Sequence, residues 1–264
     1  MISPLAYIDP KAQLGKNVEV GPFAYIEGDV VIGDNCVIKP HASILNGTRM
    51  GNDNIVFQNA VIGSTPQDFN YEEGQPTHVT IGNGNHIREN VVIAGSIHAD
   101  KATTIGNHNN LMDKVHICHD AQIGSHVVLG LGVSVAGECE IHDWSILSSA
   151  VVVQARVRVG RFALIQSGAR LQKDAGPYAI FGGNPPAYHG VNSTVLRNVA
   201  EGVDDRLLLH IANAYRLITA GNFSLEDVVI KIREQIKPSR EIEEINNFIT
   251  SSQLGILRNV EKQY

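Results

Sequence analysis

The chain has 264 residues with 21 Lys and Arg against 27 Asp and Glu, and its formal net charge of -6 argues against a general binder of DNA or RNA. At 43% hydrophobic and 18% charged it is an ordinary folded chain, and 25 Gly with 6% aromatics predict many turns around a long, thin core of small aliphatics. No apolar stretch approaches the roughly 20 residues of a bilayer span, Met1-Ile2-Ser3-Pro4 opens neither basic nor apolar, and Cys36, Cys118 and Cys139 lack a C-x-x-C spacing; the expectation is a cytoplasmic protein with reduced thiols.

From the start of the chain an aliphatic residue returns every six positions: Ile8, Leu14, Val20, Ile26, Ile32, Ile38, Ile44, Met50, Val56, Ile62. The period resumes at Ile81, Ile87 and Ile93, then runs unbroken from Ile105 to Leu171. Four residues after each aliphatic comes a mostly small one, as at Ala24, Cys36, Ala42, Ala60, Ala121, Cys139 and Ala169. Two inward positions per six, one large and one small, describe a parallel β-helix in which each hexapeptide is one short strand and one turn. Three hexapeptides make a coil of about 18 residues, and roughly eight coils at ~4.8 Å spacing predict a prism about 40 Å tall. Gly15, Gly33, Gly51, Gly106 and Gly124, each directly after an aliphatic, are expected to take the turn conformations that β-branched residues resist. Asn54 and Asn109 break the small-apolar rule and are expected as turn exceptions.

Two stretches fall outside the period, Ser64–His78 and Gly95–Thr104. A solenoid expels such residues as loops, and projecting loops tend to carry function. The repeat stops at Pro177, and Gly182-Gly183-Asn184-Pro185-Pro186 reads as a rigid connector. From about Ser193 the pattern turns helical: Leu207, Leu208, Ile211, Tyr215 and Ile218 share a face, with Gly221 as C-cap. Ser224 with Asp227 opens a second helix that Pro238 ends, and Ser239 caps a third.

Six of the 11 His fall in one stretch, at His98, His108, His116, His119, His126 and His142. On the predicted coil His98 and His116 stack on one edge, Gly137 stacks on His119, and Glu138 on Asp120. An imidazole beside a glycine N–H and two carboxylates offers a general base with an oxyanion donor; a solvent-facing row of His is the plain alternative. Cys36 and Cys139 take the small inward position and read as core. Cys118 next to His119 suggests a thiol nucleophile, but adjacent strand residues point apart, which argues against one. Trp144 reads as packing.

The segment Leu111-Met112-Asp113-Lys114-Val115-His116-Ile117-Cys118-His119-Asp120 resembles the His-x-x-His-Asp/Asn active-site coil of the UDP-N-acetylglucosamine O-acyltransferases. Pro66-Gln67-Asp68, Ile87-Arg88-Glu89-Asn90, Ala136-Gly137-Glu138 and Pro177-Tyr178 match the same family, and the likeness spans essentially the whole chain. The resemblance implies a mainly β fold: a left-handed parallel β-helix over residues 1–190 with loops at 64–78 and 95–104, then a C-terminal α-helical domain over 191–264. It implies a homotrimer with sites between neighbouring subunits. The implied activity is transfer of a (3R)-3-hydroxyacyl group from acyl carrier protein to the 3-hydroxyl of UDP-N-acetylglucosamine, the first step of lipid A biosynthesis. No metal or bound organic cofactor is implied, because the thioester brings its own leaving group.

Carried onto this chain, the resemblance makes His119 the general base, Asp120 the group that sets its tautomer, and the Gly137 N–H the oxyanion donor. Gln67 and Asp68 would meet the sugar or the acyl hydroxyl, His116 the sugar, Gln154 the diphosphate, and Asn192 the donor region. Ser167 would end the acyl groove and, being small, admit a long chain; Leu131 and Ser149 share its column. Several positions depart from the family pattern. Ala-Gly-His is here Ala136-Gly137-Glu138, and an ionised carboxylate accepts rather than donates, so Glu138 would take a hydrogen bond from a sugar hydroxyl. Val153 replaces a His, Asn70 a basic residue, and an Arg pair is reduced to Arg197-Asn198-Val199, of which Arg197 would still bind substrate. After the Ile93 strand, His-Arg-Gly-Thr becomes Ala94-Gly95-Ser96-Ile97. A 3-amino sugar acceptor therefore stays open beside the 3-hydroxyl.

Residues 151–220 carry eight Lys and Arg against four Asp and Glu, whereas the first 150 carry seven against 16. An acidic carrier protein is thus expected to dock toward the end of the prism and the helical tail. Two other readings stand beside the acyltransferase. One is a zinc-dependent hydratase of the hexapeptide carbonic-anhydrase type, for which His98 and His116 at one-coil spacing are the argument. The other is a non-catalytic trimeric scaffold with a decayed acyltransferase site, drawn from the missing His and Arg positions.

Overall fold

The computed structural model describes residues 1–220 and 223–258, so the C-cap expected at Gly221 lies outside the described residues. From Tyr7 to Leu171 short strands recur along the chain, and every third strand joins the same sheet. Parallel sheets of nine, eight and ten strands form the three faces of a prism. The last is closed by Ala179–Gly182, which pairs antiparallel with Ala187–Val191. Register stacks like on like: Ile8, Ile26, Ile44, Ile62, Ile93, Ile117, Val135, Val153 and Leu171 form one column. From Ile26 onward that column is buried, as are Ala24, Cys36, Ala42, Ala121 and Cys139 at the small position. Cutting one such Ile back to Ala would cost about 2–5 kcal/mol.

The glycines after the aliphatic positions serve close approach rather than turning. A Cβ on Gly15, Gly33 or Gly106 would lie 2.5–2.7 Å from backbone atoms of the next coil. The left-handed conformation falls two residues later, at Asn17, Asn35, Asp53, His108 and His126, and even at Phe23 and Phe162. Backbone bonds between coils offset its cost: Asn35 N–H donates to Lys16 O and His126 N–H to Asn107 O, both at 2.8 Å. Asn54 and Asn109 are not turn residues either. With Asn85 they form a buried ladder inside the prism, where Asn85 Nδ2 donates to Asn54 Oδ1 and Asn109 N–H to Asn85 Oδ1, each at 2.9 Å. An amide is tolerated there because its partners lie in the neighbouring coils.

Among the described residues four helices follow: α1 Ser193–Val199, α2 Asp205–Thr219, α3 Leu225–Gln235 and α4 Arg240–Thr250. Ser224 Oγ accepts from Asp227 N–H at 3.1 Å and Ser239 Oγ from Ile242 N–H at 3.3 Å, so both expected caps form. Arg158 ties the tail to the prism, donating to Asp174 at 3.0 Å, Ser251 Oγ at 3.0 Å and Phe248 O at 2.9 Å, with its guanidinium over the Phe248 ring. Arg158 and Arg197, the latter bonded to Asp205, are thus engaged within the chain, and the basic excess counted from sequence overstates what the surface offers. No described helix is long and apolar enough to cross a membrane.

Candidate active site

His119 and Asp120 follow the strand His116–Ile117 at a corner of the prism. Asp120 turns the chain with φ 58°. Its carboxylate thereby comes back along the preceding ring, and His119 Nδ1 lies 2.9 Å from Asp120 Oδ2. An ionised carboxylate only accepts, so this contact places a proton on Nδ1 and leaves Nε2 at the far edge of the ring. Only 10% of the imidazole is exposed.

The Asp120 carboxylate is itself held from the second loop. Oδ1 accepts from the Ser96 hydroxyl at 2.5 Å, Oδ2 accepts from Ile97 N–H at 3.2 Å, and Asp120 N–H donates to Thr103 Oγ1 at 2.8 Å. Burial pushes the Asp120 carboxyl upward, but the bonds from Ser96, His119 and Ile97 outweigh it and leave the group below the usual carboxylate range. The two loops brace each other: Gln75 Nε2 donates to Ile97 O at 2.6 Å, and His78 O accepts from the N–H groups of Ser96 and Thr103 at 3.2 and 3.1 Å. Sequence reading found the loops but not Ser96, Ile97 or Thr103; the available signal was that the second loop interrupts the coil directly before His116.

Gly137 stacks on His119 as the period requires. A Cβ there would lie 2.4 Å from Nε2 and 2.5 Å from Cε1 of the imidazole, so only glycine lets the ring sit where it does. Among the described residues none accepts the backbone N–H of Gly137. Glu138 stacks on Asp120, its N–H donating to His119 O at 3.0 Å, and its exposed side chain continues a corner column toward Arg156. From the first loop, Asp68 places Oδ2 at 3.3 Å from His119 Nε2 while Oδ1 accepts from Asn70 N–H at 2.8 Å. Hydrogen bonding from Asn70, and beyond it the contact with His119, hold the Asp68 carboxyl below its ordinary value. Gln67 beside it is exposed.

His116 does not stack on His98. Its strand partner is Val92, because the second loop lengthens that coil and lifts His98 out of the column. The pairing that supported a zinc site therefore does not form. Burial lowers the proton affinity of His116 and raises the thiol pKa of Cys118, which further disfavours a thiolate beside His119. Gln154 lies one coil beyond Ala136 at the same corner, bonded through its N–H to Leu171 O at 3.0 Å. Ser167 lies beside the third sheet, in an exposed column with Leu131 and Ser149. Asn192 is buried, its Nδ2 donating to Phe162 O at 2.9 Å, and Arg197 pairs with Asp205 at the surface. One chain thus gathers Asp68, His119, Asp120 and Gly137, while Ser167, Asn192 and Arg197 stand on another corner or the tail.

This chain is 40% identical over 258 residues to the acyl-(acyl-carrier-protein)--UDP-N-acetylglucosamine O-acyltransferase of Halorhodospira halophila (strain DSM 244 / SL1), covering 97% of this chain and 99% of that protein. A protein of the same name from Burkholderia lata is 40% identical over 262 residues, with 97% and 99% covered. Among solved structures, a UDP-N-acetylglucosamine acyltransferase from Bacteroides fragilis 9343 superposes with a TM-score of 0.93 at 43% identity over 98% of this chain and 100% of that one. The UDP-N-acetylglucosamine acyltransferase of Francisella novicida gives 0.93 at 34% identity, over 99% and 95%. Residues 174–257 match the family described as Udp N-acetylglucosamine O-acyltransferase; Domain 2, and residues 11–46 match Bacterial transferase hexapeptide (six repeats).

Proposed function

The chain belongs to the UDP-N-acetylglucosamine O-acyltransferases, left-handed β-helix enzymes, and from that premise we propose that its His119 corner moves a (3R)-3-hydroxyacyl group from acyl carrier protein to the 3-hydroxyl of UDP-N-acetylglucosamine, the step that opens lipid A biosynthesis. The observation that carries the assignment to this corner is the imidazole of His119, bonded to Asp120 through Nδ1 and packed so close to Gly137 that a side chain there would collide with it. Nε2 takes the proton of the sugar hydroxyl as its oxygen attacks the thioester carbonyl. Asp120 holds Nδ1–H and stabilises the imidazolium that forms. The Gly137 N–H, with no acceptor of its own among the described residues, faces the developing oxyanion. Attack forms the new C–O bond; collapse of the tetrahedral intermediate restores the carbonyl and breaks the C–S bond, and the proton held on Nε2 passes to the departing carrier thiolate.

Glu138 accepts from a sugar hydroxyl in this reading; Gln67, Asp68 and His116 meet the sugar or acyl hydroxyl, and Gln154 the diphosphate. Assembly as a homotrimer in the cytoplasm would bring Ser167, Asn192 and Arg197 of one subunit beside the His119 corner of another. That arrangement accounts for a set of expected site residues that a single chain keeps apart. Acyl carrier protein would approach the basic end of the prism through Arg156, Arg161, Arg170 and Lys173, which form no ion pair among the described residues, unlike Arg158.

The test is incubation of the protein with UDP-N-acetylglucosamine and a panel of 3-hydroxyacyl carrier proteins, reading the mass of the nucleotide product. Gain of one 3-hydroxyacyl group as a base-labile ester supports the reading. No product with any donor refutes it for this acceptor.

A further inference from the structure

The solenoid treats the corner at Asp120 differently from the corners above it. At the two corners above it the left-handed residue is held by the backbone of the coil below: Glu138 N–H donates to His119 O and Arg156 N–H to Gly137 O, both at 3.0 Å. Beneath Asp120 that backbone is diverted, because the chain leaves the coil after the strand Val92–Ala94 and returns only at Thr103–Ile105. Side chains at the two ends of the excursion replace it. Thr103 Oγ1 takes the Asp120 N–H at 2.8 Å, and the Ser96 hydroxyl reaches Oδ1 at 2.5 Å.

Ser96 is completely buried, and its Oγ accepts from His98 N–H at 2.8 Å, which fixes the oxygen in place. Its single proton faces two acceptors, Asp120 Oδ1 at 2.5 Å and His98 O at 3.0 Å. The carboxylate wins it, since a bond to an ionised acceptor is about twice as strong as one between neutral groups. With Oδ1 occupied by Ser96, and Oδ2 shared between Ile97 N–H and His119 Nδ1, the carboxylate has no second orientation that keeps its bonds.

We propose that Ser96 is a positioning residue for acyl transfer: its hydroxyl locks the Asp120 carboxylate, and through it the ring of His119, in the orientation that presents Nε2 to the sugar hydroxyl. The inference rests on the reading of His119 as the base. It gives the second loop a purpose, as the mount of the dyad, and explains why the first loop is bonded to it through Gln75 and His78. Ser96 touches neither substrate, so its effect belongs to turnover rather than to binding.

The experiment is a double-mutant cycle on the full-length protein: wild type, Ser96→Ala, Asp120→Ala and the double variant, with kcat and KM for both substrates and thermal midpoints as a check on folding. Ser96→Ala is expected to lower kcat by about 10- to 100-fold with each KM within about twofold of wild type. In the Asp120→Ala background the same substitution is expected to change kcat by less than about twofold, because its route to the base is gone. Ser96→Cys, similar in size with a weaker donor, is expected to fall between Ser and Ala, and carries the cycle if the Ala protein does not fold. A Ser96→Ala kcat within about twofold of wild type, or a loss repeated in full without Asp120, overturns the proposal. Wild-type protein that transfers no acyl group would overturn the reading of the activity itself; active wild type with additive losses overturns the role of Ser96 alone.

Discussion

Asp68 reaches His119 from the first loop, its Oδ2 lying 3.3 Å from Nε2, on the side of the ring opposite Asp120. The ring nitrogen that the proposed mechanism turns to the sugar hydroxyl is therefore covered by Asp68 in the ligand-free chain. A hydroxyl arriving there can donate one way to the imidazole only if Asp68 gives up the position, and the carboxylate is then placed to accept from a neighbouring hydroxyl. Asp68→Ala is expected to raise KM for UDP-N-acetylglucosamine more than it lowers kcat, with kcat/KM down about tenfold or more. Steady-state kinetics with the sugar nucleotide varied at saturating donor reads the split.

Gly137→Ala tests the contact on the ring face. The added Cβ would meet Nε2 and Cε1 of His119 at 2.4 and 2.5 Å, distances that no side-chain atom tolerates, so the imidazole must shift. A displacement of about 1 Å at a reacting group can cost about 100-fold in rate, and kcat is expected to fall by at least that much. The backbone N–H survives the substitution, so the loss measures the position of the base rather than the oxyanion donor.

The depressed proton affinity of Asp120 carries a pH signature for stability. A carboxyl whose folded value lies below its unfolded value of about 3.9 contributes stability that is fully present above that pH and is lost as pH falls through the lower folded value. Asp120→Asn removes the contribution. The thermal midpoint of wild type is expected to exceed that of Asp120→Asn near pH 7, and the gap is expected to close as pH falls below about 4. Thermal melts of both proteins across that range provide the measurement.

Ser167 stands in an exposed column with Ser149 and Leu131, open on the side of the third sheet. If the acyl chain runs along that column, a bulky side chain at 167 shortens it. Ser167→Met is expected to move the preferred donor to a chain several methylenes shorter, each lost buried methylene being worth about 0.8 kcal/mol. Competition between carrier proteins of different acyl length, read by product mass, reports the shift.

The repeat makes the prism legible from the sequence, because inward Ile and Ala positions at a fixed period can be buried in only one register. The same arithmetic put Gly137 on His119 and Glu138 on Asp120. It failed for His98 and His116, since the second loop lengthens the coil between them and pairs His116 with Val92 instead. It also misread the glycines, whose missing side chains make room for the next coil, and Asn54 and Asn109, whose amides are paired inside. Where the loops fold back was not legible. The contacts of Asp68 with His119 and of Ser96 with Asp120 join segments outside the period, and nothing in their local pattern encodes the partner.

The proposed role of His119 as base is tested by single-turnover acyl transfer by His119→Ala with UDP-N-acetylglucosamine and the best 3-hydroxyacyl carrier protein. Binding of the sugar nucleotide by the same variant is followed by calorimetry. Loss of transfer by about 100-fold or more, with binding of the nucleotide retained, is the predicted result. Transfer at the wild-type rate by His119→Ala would contradict the account.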